Sequence, residues 1–107
     1  MNPPNPLPPL DEAAVLEVLR QVMDPEIGCN LVDLGLIYNI TIVGGSVTVE
    51  MTLTTQGCPM HESLTEGARH ALLSHPAVTD AEVRVVWDPP WSPSMMTEAG
   101  RRATGLA

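Results

Sequence analysis

The feature that most constrains this fold is a pair of β-rich runs separated by two glycines. Residues 36–43 and 46–53 flank Gly44 and Gly45, and a Gly-Gly pair supplies the positive φ angles of a tight hairpin turn. In the second run apolar and polar side chains alternate, which predicts one buried face and one polar face. The expected buried set is Val47, Val49, Met51 and Leu53, and the expected polar set is Thr48, Glu50 and Thr52.

Two helices and a further strand surround this hairpin. Residues 11–23 carry apolar side chains at helical spacing behind Asp11, a suitable N-cap, and Pro25 stops that helix. Residues 59–74 form a second helix, in which Gly67 allows close approach to the sheet. Residues 81–87 alternate as a strand, and the order strand, helix, strand predicts a parallel pair with a right-handed crossover.

The expected fold class is therefore α/β, more closely a two-layer α+β domain. Its order is helix, β-hairpin, helix, strand, with a small mixed sheet of three or four strands covered by two helices. A chain of 107 residues suffices for one domain with a modest core. We expect a flexible proline-rich N-terminus over residues 1–10, one domain over residues 11–103 and a frayed C-terminus over residues 104–107.

The charge balance excludes two classes of partner. The net charge is −8, with no lysine and only five arginines, so the chain lacks the basic face that nucleic acids or anionic membranes require. No stretch approaches the ~20 apolar residues of a membrane span. Two cysteines do not make a disulfide framework, and no signal peptide is visible. These features favour a cytoplasmic protein with reduced thiols.

The stretch from Thr54 to Leu64 carries the most distinctive chemistry. Pro59 suits the first position of a helix, which places Cys58 at or beside the N-cap. The unpaired N–H groups and the positive end of the helix dipole then favour thiolate over thiol, so we expect a lowered Cys58 pKa. The alternative is a small buried cysteine that only caps the helix. His61 could tune this thiolate or bind a metal, or it could face solvent.

A second unusual stretch, residues 24–35, joins the first helix to the hairpin with little regular pattern. Such connections in compact domains are often functional. Asp24 and Glu26 could face a site, whereas Asp33 could cap a turn. Cys29 lies in the same connection. For Glu26 and Asp33 a solvated or turn-capping role is the better interpretation.

The third distinctive stretch lies near the C-terminus, where prolines set a rigid loop. Trp91 stands between Pro90 and Pro93, so it either folds back over the domain or is offered to a partner. With so few aromatic residues available, folding back is the favoured prediction. Residues 95–100 are expected to form a short helical turn, and the residues from 101 onward are expected to fray.

Three ordered motifs resemble one family, the PaaD/SufT-like group, which is also found as a domain on Mrp-type iron–sulfur carrier ATPases. The resemblance covers about residues 11–103. Its first motif is DPEI at residues 24–27, which runs into NLVDLGLIY at residues 30–38. Its second is TTQGCPMHESL at residues 54–64. Its third is WDPPWS at residues 87–92, which runs into Met95 and Met96.

The resemblance implies a role in iron–sulfur cluster assembly or in maturation of iron–sulfur proteins. It also implies that Cys58 and Asp24 lie near each other, with Thr54 and Thr55 lining the same site. Cys29 and His61 fall outside the family pattern and are kept as secondary candidate ligands. The implied partners are iron–sulfur carrier or scaffold proteins and apo-targets.

The ligand count argues against a stable cluster in a monomer, because clusters are normally held by four protein ligands. A homodimer could bring two Cys58 thiolates around a transient cluster or iron. Alternatively, the domain could bind no cluster and dock an apo-target to a carrier. Two other functions stay open. One is a thiol-nucleophile enzyme with Cys58, His61 and Asp24, and the other is a non-catalytic subunit of a phenylacetyl-CoA-type oxygenase.

Overall fold

The computed structural model describes residues 10–24, 27–54 and 61–105, without the side chain of His61. Three helices and two sheets follow one another along the chain. The bounds are α1 Glu12–Leu19, β1 Met23–Asp24, β2 Cys29–Asn30, β3 Ile37–Val43, β4 Ser46–Met51, α2 His61–Leu73, β5 Asp80–Val85 and α3 Glu98–Thr104, with a single 3₁₀ turn at Pro93–Met95. None of the helices in these ranges is long and apolar enough to cross a bilayer.

Helix α1 begins as predicted and ends earlier than predicted. The Asp11 side chain accepts a hydrogen bond from Ala14 N at 2.8 Å, so Asp11 is the N-cap. The expected end near residue 23 is wrong, because the chain leaves the helix after Leu19 and enters β1 at Met23. β1 pairs antiparallel with β2. The connection predicted to have little regular structure therefore contains a short two-stranded ladder.

The main sheet has the strand order β3-β4-β5. β3 and β4 form the predicted antiparallel hairpin, while β4 and β5 run parallel. The connection between β4 and β5 contains α2, as the crossover prediction requires. The fold class predicted from the sequence is confirmed, with α3 as an additional helix.

The helices cover one face of this sheet and close a single aliphatic core. Along β4 the side chains of Val47, Val49 and Met51 are buried, which confirms the predicted alternation inside the strand. Thr52, expected on the polar face, is fully buried instead. The strand ends at Met51, so alternation no longer decides which way the next side chain points. The α2 residues in the same core are Leu64, Ala68 and Leu72.

Residues 91–105, which we call the C-terminal clasp, fold back onto the turn that follows β2. Trp91 Nε1 donates a hydrogen bond to Leu34 O at 2.7 Å, which confirms that Trp91 folds back. The expectation that fraying begins at residue 101 is wrong, because α3 continues to Thr104. Thr97 caps its start, and Gly105 ends it in the left-handed region at φ 71°.

Asp33 ties the clasp to the turn after β2. Its carboxylate accepts hydrogen bonds from Asn30 Nδ2 at 2.7 Å and from Thr97 Oγ1 at 2.9 Å. The Asp33 carbonyl oxygen also accepts from Thr97 N at 2.9 Å. Asp33 therefore has the turn-capping role predicted for it, and it also holds the distant clasp in place.

Candidate functional site

Asp24 is a buried carboxylate at the end of β1, only 6% exposed. Its Oδ1 accepts a hydrogen bond from Ile27 N at 3.3 Å, and its carbonyl oxygen accepts from Gly28 N at 2.7 Å. Gly28 has φ 77°, a backbone region that favours glycine. The tight turn between β1 and β2 thus fixes the position of the Asp24 carboxylate, the first of the predicted site residues.

Cys29 lies directly opposite Asp24 in the β1–β2 ladder. Its side chain is buried, at 3% exposed. Burial raises the pKa of the Cys29 thiol above its ordinary value of 9.0, and the negative charges of Asp33 and Asp24 raise it further against the lowering effect of the Asn30 backbone N–H. The structure therefore brings two predicted ligands together, one of them a protonated thiol at neutral pH.

The other predicted site residues surround or lie within residues 55–60. Thr54 follows the end of β4 and is half-buried, and α2 begins at His61. Cys58 and Thr55 lie outside the described residues, as does the side chain of His61. The lowered pKa of Cys58, its ligand role and the contributions of Thr55 and His61 therefore stay predictions.

A groove of about 430 Å³ separates residues 21–23, which follow α1, from helix α2. Met23, the residue before Asp24, lines one wall, and Ser63 of the first turn of α2 lines the other. Gly67 lies between them, where an added Cβ would come within 3.6 Å of Val22 Cγ1. The sequence indicated that Gly67 approaches the sheet, but the neighbour is the chain that leaves α1. The remaining lining residues are Gln21, Val22, Leu64 and Ala71.

Thr52 is a polar residue of this region that sequence reasoning placed on the wrong face. It is fully buried, and its hydroxyl has no hydrogen-bond partner among the described residues. Its backbone N–H donates to Leu36 O at 2.8 Å. Its side chain faces Tyr38: burial raises the pKa of Tyr38, and the Thr52 hydroxyl opposes that rise. One hint in the sequence that Thr52 could depart from the alternation was its position near the end of the alternating run, two residues before Thr54.

The described residues do not form a metal site by themselves. Within residues 10–24, 27–54 and 61–105, no group of three or more His, Cys, Asp or Glu side chains is arranged to hold a metal ion. Asp24 and Cys29 together supply two candidate ligands. An iron–sulfur cluster normally needs four. Any cluster bound at this place therefore needs ligands beyond this pair.

Comparison with known proteins gives concordant matches. Residues 12–85 match a family described as iron-sulfur cluster assembly protein. The Fe-S protein maturation auxiliary factor SufT of Staphylococcus aureus (strain USA300) is 40% identical over 87 residues, which are 80% of this chain and 99% of the relative. The Fe-S protein maturation auxiliary factor YitW of Bacillus subtilis (strain 168) is 38% identical over 93 residues, covering 86% of this chain and 91% of the relative.

A solved structure agrees with the fold. The crystal structure of a domain of unknown function, DUF59, from Bacillus anthracis superposes with a TM-score of 0.84 at 36% identity. The superposition covers 90% of this chain and 92% of that chain. The similarity therefore extends over nearly the whole of both chains.

Proposed function

Because this chain belongs to the iron–sulfur cluster assembly protein family, we propose that it is an accessory factor that uses Cys58 as a labile cluster ligand or docking thiol, with Asp24 beside it. The family predicted from the three sequence motifs is confirmed. So is the general role in iron–sulfur cluster assembly or iron–sulfur protein maturation. The roles of individual residues and the choice of partners are the part that we propose.

The groove between residues 21–23 and α2 supports this proposal. Met23 precedes the buried Asp24, and Ser63 belongs to the turn that follows the connection with Cys58. One groove therefore runs from the strand that carries Asp24 to the helix end that Cys58 precedes. The juxtaposition supports the site that the family resemblance implies, in which Thr54 and Thr55 line the same place.

The proposed ligand set suits a cluster that is held briefly as cargo. Thiolates are the preferred ligands of iron–sulfur clusters, whereas carboxylates suit harder metal ions, so an Asp24–Cys58 pair would bind a cluster weakly. Cys29 must lose its proton before it can ligate, and its raised pKa opposes that loss. Cys29 and His61 therefore remain secondary candidates. Weak, incomplete ligation favours release to the next protein.

The proposed partners are an iron–sulfur carrier or scaffold on one side and an apo-target on the other. In a reducing cytoplasm the thiols of Cys29 and Cys58 would stay reduced, as a role in iron–sulfur chemistry requires. The thiol-nucleophile enzyme and the oxygenase subunit are the alternatives that the sequence left open. A requirement for Cys58 in cluster binding or transfer would distinguish the proposed role from both alternatives.

The test is anaerobic reconstitution with iron and sulfide, read by visible absorption and iron per chain. We compare the wild type with Cys58→Ser, and Cys29→Ser serves as the matched control. Serine caps a helix at least as well as cysteine, so Cys58→Ser should keep its circular dichroism and melting temperature.

A chromophore that is lost in Cys58→Ser and retained in Cys29→Ser would support the ligand role of Cys58. A chromophore that survives in Cys58→Ser would contradict it. If no chain binds a cluster, the docking role is tested by co-purification with apo-target proteins. Equal capture by wild type and Cys58→Ser would then contradict any role for the thiol.

A further inference from the structure

Tyr38 occupies an irregular position in the main sheet. β3 pairs with β4 at Ile37 and again at Asn39, and the register shifts between these two residues. Tyr38 is therefore the extra residue of a β-bulge, without an opposite residue in the β3–β4 ladder that the structure describes. A bulge re-aims the side chain of the extra residue, and bulges are common beside functional sites.

The Tyr38 hydroxyl meets three separate segments of the chain. It donates a hydrogen bond to Pro89 O at 2.8 Å and lies 3.3 Å from Met95 Sδ. The Thr52 hydroxyl is close enough to oppose the rise that burial gives the pKa of Tyr38, although its geometry falls short of a hydrogen bond. Tyr38 ends the first sequence motif, and Pro89 belongs to the third. Thr52 stands two residues before the second motif, so all three motifs meet at or beside one phenol.

Thr52 also lies where the chain leaves the sheet toward Cys58. β4 ends at Met51, and Thr54 is the last described residue before residues 55–60, the connection that carries Cys58. At an extended rise of about 3.3 Å per residue, Thr54 lies within about 7 Å of Thr52. A contact that fixes Thr52 therefore fixes the point from which this connection starts.

A path of backbone hydrogen bonds joins Thr52 to the other half of the candidate site. Three successive bonds run from Thr52 N to Leu36 O at 2.8 Å, from Leu36 N to Leu31 O at 3.1 Å and from Leu31 N to Val22 O at 3.0 Å. Val22 stands two residues before Asp24. The strand end that leads to the second motif and the turn that carries Asp24 are thus held in one frame.

From this arrangement we propose that Tyr38 is a positioning residue, whose hydroxyl holds Thr52 and so sets where the connection to Cys58 starts. The placement of that connection relative to the Asp24 turn is thereby fixed. The WDPPWS loop supplies Pro89 O, the acceptor that orients the phenol. The inference rests on the site proposed above. Weak ligation depends on such support, because loss of a group that orients metal ligands commonly costs about 10–100-fold in affinity.

The decisive variant is Thr52→Val, which removes the hydroxyl and keeps the shape of the side chain. The Thr52 hydroxyl is buried and makes no complete hydrogen bond among the described residues, so its loss should leave the free energy of unfolding unchanged or raise it. Tyr38→Phe removes the other hydroxyl. The matched control is Thr48→Val, the same change at a half-buried β4 position that pairs with Thr41, away from Tyr38. Urea denaturation measures the stability of each variant.

Two readouts on the full chain separate positioning from stability. One is amide hydrogen exchange of peptides that cover residues 52–60. The other is the rate at which an iron chelator removes a cluster reconstituted with iron and sulfide. We expect both rates to rise about threefold or more in Thr52→Val and in Tyr38→Phe, and to match the wild type in Thr48→Val. The double variant should be no worse than the worse single variant, because both hydroxyls act through one contact.

Four results would overturn the proposal. The first is wild-type exchange over residues 52–60 in Thr52→Val. The second is faster exchange without faster cluster loss. The third is cluster loss that follows the unfolding free energy across all variants, the control included, as a purely structural role of Tyr38 predicts. The fourth is additive effects in the double variant.

Failure of the cluster-ligand role is distinguishable from failure of the positioning role. If the wild type holds no cluster, the ligand role of Cys58 fails, and hydrogen exchange alone decides the role of Tyr38. Faster exchange over residues 52–60 in both hydroxyl variants would then support positioning of the connection, whereas unchanged exchange would overturn it.

Discussion

Two corners of the domain use glycine for opposite purposes. At the C-terminal clasp, Gly35 and Gly100 let separate stretches of backbone meet, and an added Cβ would overlap Met95 O or Asp33 O. At the groove, Gly67 leaves space, and an added Cβ would make only an ordinary contact with Val22. The clasp corner is therefore closed by backbone contact with the turn after β2, whereas the groove corner keeps open space beside Met23, the residue before Asp24.

The largest expected effect is at the closed corner. Gly35→Ala places a Cβ at φ 77° and against Met95 O, so it meets both backbone strain and steric overlap. We expect a loss of about 3 kcal/mol or more in the free energy of unfolding, measured by urea denaturation. Gly44→Ala is the matched control, since Gly44 has φ 60° and nothing within 4 Å of an added Cβ.

The control should lose only about 1–2 kcal/mol, the backbone part of the cost. The difference between the two alanine variants then measures the contact between the turn and the clasp. Equal losses would contradict the close approach of Gly35 to Met95.

The same substitution at the open corner should have the opposite sign. Gly67→Ala improves helix propensity without a clash, so we expect a gain of about 0.5–1 kcal/mol in the free energy of unfolding. The added methyl group narrows the groove, so cluster transfer or client binding should weaken while stability rises. His70→Ala, at an exposed position of α2, is the control that changes the helix but not the groove. Unchanged transfer in Gly67→Ala would contradict a role for the groove.

The smallest expected effect concerns Cys29, which lies opposite Asp24 in the β1–β2 ladder. Its folded pKa is raised, so the folded state holds the thiol proton more tightly than the unfolded state does. This contribution is fully present below the ordinary pKa of 9.0 and is lost as the pH rises through the folded value. The unfolding free energy of the wild type should fall more steeply at alkaline pH than that of Cys29→Ala. Parallel pH profiles would contradict the raised pKa.

Local patterns predicted the parts of the fold that local forces determine. The Gly44-Gly45 turn, the Asp11 cap and the alternation along β4 each depend on residues close in sequence, and each is confirmed. The parallel strand followed from chain order alone. By contrast, the early end of α1 depends on β1 pairing with β2, and the length of α3 depends on its caps and on contacts with the turn after β2. Those interactions leave no periodic signal in the sequence.

The candidate site was predictable in part for the same reason. Asp24 and Cys29 stood out as polar residues in an irregular connection, and the structure places them opposite each other. The groove was not predictable, because it arises where the chain that leaves α1 passes α2, with Gly67 facing Val22. Thr52 was misplaced because strand periodicity says nothing beyond the strand's last residue. The role of Cys58 stays a prediction.

The clasp also bears on the order in which the chain folds. Its hydrogen bonds join Thr97 to Asp33, which are 64 residues apart in sequence. Contacts over such a separation carry a large loop-closure entropy, whereas the hairpin closes over a few residues. The clasp is therefore expected to form after the sheet and to open before it, as a separate unit of local unfolding. Amides of α3 would exchange with solvent through that opening while those of β4 stay protected.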